Sequence, residues 1–352
     1  MKTILKWPGG KEKELPIIRR YMPEYTGRYV EPFVGGGAVF FDQNNLNCYI
    51  NDRSDELINL YSCVKDRDQE FIHYLNLEDR EFNAISDFID NNRDVILRLY
   101  NGALPVDGFL GQYGFFFDDI AIDYHNVFFH ELTKNLNSKI SRSHRLENTH
   151  GFLSDSDRID NIESALKSAY YMYIRYLLNH QQEFDPGRRA AVFFFVREYC
   201  YSSMFRYNTA GEFNVPYGGI SYNRKDLGRK IAYMLSQEMT QKLQTADLSN
   251  LDFEDFIERL HLNRNDFMFL DPPYDSDFST YAQNGFGQAE QIRLRNCLLE
   301  TNALFMLIIK NTDFIYNLYN RYFHIGAFDK KYMVSFMNRN ERDVEHLVIT
   351  NY

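Results

Sequence analysis

Cysteine, proline and tryptophan are scarce in this chain. The 352 residues include four cysteines, nine prolines and one tryptophan. The cysteines are scattered, with no CxxC pair and no histidine cluster at metal-ligand spacing, which argues against a disulfide framework and a zinc site. We therefore expect reduced thiols in a cytoplasmic protein, and no bound metal.

Long apolar runs are also missing. The longest, residues 191–196 and 303–309, fall well short of the roughly 20 residues that a membrane span needs. The N-terminal segment has no apolar core of the kind that marks a secretory leader, so we expect none, and no membrane association. The length suits one large domain, or a catalytic domain with a substantial insertion.

Basic residues are outnumbered, and the formal net charge of -10 argues mildly against nucleic acid as a partner. The charge is unevenly distributed, however. Residues 133–146 carry Lys134, Lys139, Arg142 and Arg145 without an acidic residue, and a second basic stretch holds Arg224, Lys225, Arg229 and Lys230 with Asp226 as its only acid. Taken alone, such stretches are more often solvated faces than nucleic-acid contacts, so the charge lowers the expectation of DNA as a partner without excluding it.

The first sixty residues have the pattern of an α/β unit. Residues 29–33 resemble a strand. They are followed by a run of three glycines and then by an apolar stretch at 38–41 that can open a helix. Residues 48–50 predict a second strand, ending at Asn51-Asp52, and apolar residues then recur at helical spacing from Leu57 to Val64. This order predicts a doubly wound, Rossmann-like sheet.

The character of the sequence changes between residues 66 and 239. Apolar residues recur at helical spacing near both ends of this region. Residues 102–151 are rich in Gly, Asn, Asp and Phe and show no clear period, which predicts an irregular, aromatic-rich section. Strand patterns return at 266–270, 303–309 and 346–349. We therefore predict a split catalytic domain, residues 1–65 and 240–352, with a mainly helical insertion at 66–239.

The glycine turn and Asp52 together favour a nucleoside ligand. Glycines at 35 to 37 allow a ligand to approach the backbone closely, although a purely structural turn would also use them. Asp52 ends the next strand, where a carboxylate can accept hydrogen bonds from ribose hydroxyls. The spacing Phe33-x-Gly35-x-Gly37 is not the GxGxxG of dinucleotide enzymes, and no phosphate-binding GK[ST] is present. S-adenosylmethionine fits this pattern.

The most specific motif is Asp271-Pro272-Pro273-Tyr274, which follows a five-residue apolar run. A plain turn after a strand is one interpretation. The other is catalytic, because the N6 amine of adenine is a poor nucleophile until its nitrogen becomes tetrahedral. Two fixed acceptors, the Asp271 carboxylate and the Pro272 carbonyl, would favour that change. The prolines stiffen the backbone, and Tyr274 offers a face on which a flipped base can stack.

At these residues the sequence resembles the Dam-type DNA adenine methyltransferases, within the alpha group of amino-methyltransferases. The resemblance spans nearly the whole chain. Its segments are Leu5-Lys6-Trp7-Pro8-Gly9-Gly10-Lys11, Glu31-Pro32-Phe33-Val34-Gly35-Gly36-Gly37, Asn51-Asp52 with Glu56-Leu57-Ile58-Asn59-Leu60-Tyr61, Phe205-Arg206-Tyr207-Asn208 with residues 211–218, Asp271-Pro272-Pro273-Tyr274, and Arg339-Asn340-Glu341-Arg342 with Glu345-His346-Leu347.

The resemblance implies a site-specific enzyme that methylates N6 of a flipped-out adenine in double-stranded DNA. Trp7 and Lys11 would hold the methionine end of S-adenosylmethionine, Phe33, Gly35 and Gly37 would pack beside it, and Asp52 would bind its ribose. Asp247 would end a third strand near the cofactor adenine, with Asp252-Phe253 as the competing alignment. Asp271 would contact both cofactor and base.

The resemblance also assigns a DNA-reading region to the insertion. The residues it implies for DNA contact are Lys6, Arg197, Tyr201, Arg206, Tyr207, Asn208, Asn214 and Tyr217, which are types that suit base edges, phosphates and stacking. The segment at 198–205 departs from the family's usual Tyr-Asn-Gly-Leu pattern and is one residue longer. The resemblance therefore implies the chemistry without implying a GATC recognition site.

Three other functions fit parts of the sequence. N4-cytosine methylation uses the same acceptor chemistry, a catalytically silent DNA-binding protein could keep the fold, and an RNA or protein amino-methyltransferase could share the cofactor motifs. Intact Lys11, Asp52 and Asp271 argue against a silent protein. The expected partners are double-stranded DNA and no obligate protein; a cognate restriction endonuclease would act separately, in a bacterial or phage setting.

Overall fold

The computed structural model describes residues 1–118, 120, 123–273, 286–331 and 343–352. Side chains are described for these residues except 329–331, 343 and 344. The chain divides into two compact units. Unit 1 comprises Met1–Asp66, Phe205–Tyr207 and Met234–Tyr352, and unit 2 comprises Arg67–Met204 and Asn208–Tyr233.

Unit 1 is built on a mixed sheet. Its strands are β1 (Tyr29–Glu31), β2 (Cys48–Asn51), β3 (Ala246–Ser249), β4 (Phe267–Leu270), β5 (Leu304–Lys310), β6 (His324–Lys331) and β7 (Asp343–Thr350). Within the described residues the order is β3-β2-β1-β4-β5-β7-β6. Strands β1 to β5 run parallel, and β7 is antiparallel to both β5 and β6. The strands predicted at 29–33, 48–50, 266–270, 303–309 and 346–349 are confirmed.

The central strands are apolar because helices cover a parallel sheet on both faces. All four residues of β4 are buried, as is the middle of β5. In chain order the helices are α1 (Leu15–Tyr21), α2 (Asp55–Asp66), α3 (Gln69–Asn91), α4 (Arg93–Tyr100), α5 (Val106–Asp118), α6 (His125–His150), α7 (Asp155–Asn179), α8 (Pro186–Tyr199), α9 (Leu227–Met234), α10 (Gln237–Gln244), α11 (Phe253–Arg259), α12 (Gln288–Glu300) and α13 (Asp313–Tyr319).

Unit 2 is helical, and three of its helices begin at capping side chains. Asp68, Ser154 and Asp185 each accept a hydrogen bond from the backbone N–H three residues later, at the starts of α3, α7 and α8. The core between these helices is aromatic. The ring of Phe82 packs against those of Tyr170, Phe195 and Tyr199.

Two local predictions are wrong. The apolar stretch at 38–41 forms only a 3-10 turn, Phe40–Asp42, because the polar segment from Gln43 to Asn47 ends it at once. Residues 102–151 are not irregular, since α5 and α6 occupy most of them. The buried face of α6 continues through Ser143 and Glu147, and these polar residues concealed the helical period.

Among the residues that the structure describes, no helix is both long and apolar enough to cross a membrane. The mixed α/β architecture of unit 1 is compatible with a methyltransferase fold, with the reversal of strand order falling between β1 and β4. In open α/β sheets, ligands bind at the carboxyl ends of the strands beside such a reversal. That edge of the sheet is where a functional site is expected.

Candidate active site

Polar groups from three loops gather at the carboxyl ends of β1, β2 and β4. β1 ends at Glu31 and leads into the glycine turn, β2 ends at Asn51 and leads into Asp52, and β4 ends at Leu270, directly before Asp271. These strands are parallel neighbours, so their carboxyl ends lie at one edge of the sheet. The sheet therefore brings residues that are distant in sequence to one place.

The glycine turn has a backbone conformation that favours glycine. Gly35 and Gly37 have φ angles of +47° and +72°. A Cβ on Gly35 would lie 2.8 Å from Cδ1 of Trp7, and one on Gly37 would lie 2.8 Å from Cε2 of Phe41. Any larger residue would combine a strained backbone with a steric clash. The turn is thus closely covered by the Trp7 ring.

Asp52 fixes this turn from the end of β2. Its Oδ2 accepts a hydrogen bond from the Gly35 N–H at 2.9 Å, and its Oδ1 accepts one from the Ser54 N–H at 3.0 Å. Burial raises the pKa of Asp52, and the backbone N–H groups partly offset that effect. Because a carboxylate has about four acceptor positions, the group can still accept hydrogen bonds from a ligand.

Asn51 and Tyr61 also hold the turn, and sequence reasoning gave them no role. The Asn51 amide donates to the carbonyls of Pro32 and Leu251, both at 3.1 Å, which joins the segments after β1 and β3. The Tyr61 hydroxyl donates to the Gly35 carbonyl at 2.7 Å. Both residues stood inside the segments quoted above, but only the tertiary fold shows what they bond.

An aromatic cluster forms beside the glycine turn. The half-buried Phe33 ring lies with its centroid 5.5 Å from those of Phe253 and Phe286. Phe253 and Phe286 are 5.7 Å apart. Of the three, only Phe33 was selected from the sequence as a site residue. The cluster is an apolar surface of the kind on which a flat heterocycle can lie.

Lys11 connects the N-terminal loop to the Asp271-Pro272-Pro273-Tyr274 motif through Asp271. This buried side chain forms an ion pair with Asp271 and donates to the Gly9 carbonyl at 3.0 Å. The same loop carries Trp7, which covers Gly35 and packs edge-on against Phe205 with ring centroids 4.6 Å apart. One loop therefore contacts both the glycine turn and Asp271.

The described part of the catalytic motif ends at Pro273, and Tyr274 lies outside the described residues. Gln291, fully buried near the start of α12, donates from its side-chain amide to the Pro273 carbonyl at 3.2 Å. That bond fixes the peptide that follows Asp271-Pro272. Sequence reasoning missed Gln291, because nothing in the sequence links it to the motif.

Glu31 is a second acid buried at this edge. Its pKa is raised to about 8, chiefly by burial; the Tyr29 hydroxyl lowers the pKa, the negative charge of Asp271 raises it and Lys242 lowers it. Tyr29 donates a hydrogen bond of 2.6 Å to Glu31 Oε2. At neutral pH Glu31 is therefore largely protonated.

The prediction that Asp247 ends the third strand is wrong. Asp247 is the second residue of β3, its side chain is about half exposed, and it pairs with Arg259 at 3.2 Å. The competing segment Asp252-Phe253 follows the end of β3 instead. Asp252 caps α11, and Phe253 belongs to the aromatic cluster beside Phe33.

The prediction of DNA contact fits poorly for two residues of unit 2. Arg197 is only 2% exposed, and its guanidinium donates to the carbonyls of Met204 and Ser203 at 2.6 and 2.9 Å. Tyr217 is buried, donates from its hydroxyl to Asn223 at 3.1 Å, and pairs through its backbone with Cys200. Both side chains make internal contacts that hold the 200–217 region together.

The other residues selected for DNA contact are at least partly accessible. Tyr201, Arg206, Asn208 and Lys6 are exposed, and Tyr207 and Asn214 are half-buried. Asn208 closes its own turn, since its amide donates to Glu212 at 2.8 Å and accepts from the Ala210 N–H at 3.0 Å. Ser202 and Ser203, beside Tyr201, both have φ of 53°, a strained conformation for residues other than glycine.

Comparison with known proteins agrees with this geometry. A family model described as the D12 class N6 adenine-specific DNA methyltransferase matches residues 7–145 and 122–334. The Type II methyltransferase M.CviBI of Paramecium bursaria Chlorella virus NC1A is 27% identical over 358 residues, covering 100% of both chains. The Type II methyltransferase M1.LlaDCHI of Lactococcus lactis subsp. cremoris is 23% identical over 360 residues, covering 100% of this chain and 96% of its own.

A further relative is the DNA adenine methylase of Haemophilus influenzae, 23% identical over 330 residues, which cover 91% of this chain and 83% of that protein. The matched family segments include the glycine turn, Asp52 and Asp271. The predicted resemblance to adenine-specific enzymes is confirmed. This chain belongs to the D12 class of N6 adenine-specific DNA methyltransferases, and its activity is methylation of adenine in DNA.

Proposed function

We propose that the enzyme transfers the methyl group of S-adenosylmethionine to N6 of an adenine that has been turned out of double-stranded DNA. The observation that supports this most directly is the meeting of Asp271, Lys11 and the turn held by Asp52 at the reversal of strand order. Unit 1 would be the Rossmann-like catalytic domain, and unit 2 the inserted target-recognition domain.

The described residues suit S-adenosylmethionine as the methyl donor. The glycine turn, in which a Cβ on Gly35 or Gly37 would clash with Trp7 or Phe41, would lie beside the bound cofactor. Phe33 and its aromatic neighbours would contact the adenine ring, and Asp52 the ribose hydroxyls. Among the predicted cofactor residues, Asp247 is replaced in this proposal by the Asp252-Phe253 segment.

Lys11 would serve two partners. In this structure its ammonium pairs with Asp271 and donates to the Gly9 carbonyl. We propose that Lys11 also pairs with the methionyl carboxylate. The positive charge would then keep Asp271 ionised while it positions the ligand.

When bound, S-adenosylmethionine supplies an electrophilic methyl group. The Asp271 carboxylate and the Pro272 carbonyl would accept the two N–H bonds of the adenine amine, which favours a tetrahedral nitrogen with an available lone pair. Gln291 would hold the following peptide in place through the Pro273 carbonyl. Tyr274 would stack on the flipped base.

The accessible residues among those selected for DNA contact would supply the contacts with the duplex. Exposed Tyr201 suits stacking on a base, and Arg206 suits bidentate contact with a guanine or a phosphate. Lys6, Tyr207, Asn208 and Asn214 would add polar contacts. Arg197 and Tyr217 would act indirectly by holding this region in shape. We further propose a cytoplasmic enzyme that marks a defined site, as a restriction-modification methyltransferase does.

The test is expression in a methylation-deficient host, followed by sequencing that detects modified bases. We expect N6-methyladenine at a single sequence motif, and none in a host that expresses the Asp271→Ala variant. N4-methylcytosine would contradict the assignment of the base. Unmodified DNA, from a folded protein that binds S-adenosylhomocysteine, would contradict the proposed reaction.

A further inference from the structure

Helix α6 presents a basic face to solvent. Lys134, Arg142 and Arg145 are exposed, and Lys139 is half-buried at the edge of the same face. At about 100° per residue, Lys134, Arg142 and Arg145 project within one sector of roughly 80°. Ser138, Ser141 and Thr149 add hydroxyl groups to this sector. We call this surface, from Lys134 to Thr149, the α6 outer face.

The opposite face of α6 is buried, and it contains Glu147, the acidic residue in the last turns of the helix. Phe128, Leu132 and Leu136 pack inward, and Glu147 continues that face. Glu147 pairs with Arg158 at 3.0 Å and accepts the Leu153 N–H at 3.0 Å. Its negative charge is therefore used inside the unit and does not offset the outer face.

The second basic stretch of the sequence, residues 224–230, is neutralised by ion pairs with carboxylates, whereas most of the α6 outer face is not. Lys225 and Lys230 both pair with the buried Glu198. Arg224 pairs with Asp90 and Glu163, and Arg229 pairs with Asp226. In the part of the chain that the structure describes, Lys139, Arg142 and Arg145 form no ion pair with a carboxylate, and Lys134 alone of the four pairs, with Glu131 at 2.9 Å.

The positive charges of α6 lie close enough to oppose one another. Burial lowers the pKa of Lys139, and the nearby charge of Arg142 lowers it further. Crowding of like charges disfavours an isolated helix. A polyanion lying along the helix would remove that cost, and the hydroxyl groups between the basic residues are common donors to phosphate oxygens.

We propose that the α6 outer face binds the phosphate backbone of duplex DNA outside the methylated site. This proposal rests on DNA as the substrate, and it explains how a protein with net charge -10 acquires a local attraction for a polyanion. Residues 134–145 span about 16 Å of helix, enough for contacts with several phosphates. The surface adds affinity without reading sequence, because phosphates carry no base information.

The test is the salt dependence of DNA binding by the Arg142→Gln/Arg145→Gln variant. Binding to a mixed-sequence duplex of roughly 40 base pairs is followed by fluorescence anisotropy, because phosphate contacts do not depend on the recognition site. We expect the slope of log K against log salt to become shallower by about 1 for each arginine removed. Between 50 and 200 mM salt, wild-type affinity should fall roughly tenfold more than that of the variant.

Two control variants separate a local contact from a change in total charge. Arg98→Gln/Arg229→Gln removes the same charge from other exposed positions of unit 2 and should leave the slope near the wild-type value. Arg142→Lys/Arg145→Lys keeps the charge and should also retain the slope. Gln and Lys are good helix formers, so α6 should stay folded, which circular dichroism checks.

A wild-type slope in the Arg142→Gln/Arg145→Gln variant would overturn the proposal, as would an equal loss in the Arg98→Gln/Arg229→Gln control. A second experiment binds the protein to a column of acidic polypeptide and then adds either polyglutamate or duplex DNA. Release by polyglutamate but not by the duplex would contradict DNA as the occupant. Methylation of DNA from the methylation-deficient host is measured in parallel, because that DNA contains every short sequence motif. A slope difference between wild type and variant, together with unmethylated host DNA, would uphold the surface and contradict the proposed reaction.

Discussion

The residues selected from sequence for catalysis and those selected for DNA recognition fare differently in the structure. In unit 1, Asp52 bonds the glycine turn and Lys11 bonds Asp271, so the selected side chains meet at one edge of the sheet. In unit 2, Arg197 and Tyr217 lie inside and bond backbone or side chains of their own unit. Arg197 and Tyr217 are of residue types that suit DNA contact, but in this structure they support their own unit.

The difference comes from what fixes the position of each side chain. A polar residue directly after a buried parallel strand must lie at the carboxyl edge of the sheet, whatever its partners. No comparable rule applies to an arginine or tyrosine near a helix end, where half a turn of the helix, about two residues, separates a solvent-facing position from a buried one. Strand ends are therefore more informative than helix ends about function.

The largest effect that we expect is the loss of folding stability when Arg197 is substituted. Arg197→Ala should lower the free energy of unfolding by about 3–5 kcal/mol, because the carbonyls of Ser203 and Met204 lose their buried partner. The matched change Arg206→Ala, at an exposed position, should alter stability by less than about 1 kcal/mol and weaken DNA binding instead. Urea unfolding and DNA titration of both variants distinguish the roles; equal stabilities would contradict them.

A pH-dependent effect is expected from Glu31. Its pKa is raised to about 8 in the folded protein from an ordinary value of 4.5. The unfolded chain therefore releases this proton at a lower pH than the folded protein does. The contribution of Glu31 to the free energy of unfolding falls as the pH rises between those two values. Glu31→Gln has no proton to lose, so its stability relative to wild type should increase by on the order of 3 kcal/mol between pH 5 and pH 8.

Urea unfolding of both proteins at the two pH values measures this change. Other titrating groups are common to the two proteins and cancel in the difference. A stability difference that is the same at pH 5 and pH 8 would show that Glu31 is ionised in the folded protein, contrary to the burial of its side chain.

Lys11→Ala should weaken the binding of S-adenosylhomocysteine by about 30-fold, or roughly 2 kcal/mol, because a charge-assisted contact with the ligand is lost. Lys13→Ala, an exposed change in the same loop, should leave the dissociation constant unaltered. Isothermal titration calorimetry measures both variants. An unchanged constant for Lys11→Ala would limit this lysine to its contact with Asp271.

The smallest expected effect is that of Asp247→Asn. Because Asp247 lies within β3 with its side chain half exposed on Arg259, the substitution should change cofactor affinity by less than about twofold. The same calorimetry applies. A large loss would restore Asp247 as a cofactor residue and would argue against the Asp252-Phe253 alignment.

Much of unit 1 could be predicted because its strands are short apolar runs bounded by glycine, asparagine or aspartate. Residues 267–270 and 304–310 are of this type. The partners that complete the site could not be predicted in the same way. Gln291 bonds the Pro273 carbonyl, and Phe286 joins Phe33, through contacts that depend on the tertiary fold and have no local signature.

Unit 2 was predicted as helical but not in detail. The length of α6 was missed because Ser143 and Glu147 occupy its buried face, and hydrophobic periodicity detects only apolar faces. Glu147 is tolerated there because Arg158 and a backbone N–H satisfy its carboxylate. The basic composition of α6 was visible in the sequence, but the neutralisation of the second basic stretch by Glu198 and Glu163 was not.

The most direct test of the central claim is single-turnover methyl transfer by Asp271→Asn, with S-adenosylmethionine and duplex DNA prebound. Asparagine keeps the shape of the side chain, but it loses the negative charge that we propose faces the adenine amine. We predict a rate reduced by about 100- to 1,000-fold with DNA affinity nearly unchanged. A rate within a few-fold of wild type would contradict the role of Asp271 as the acceptor that activates N6.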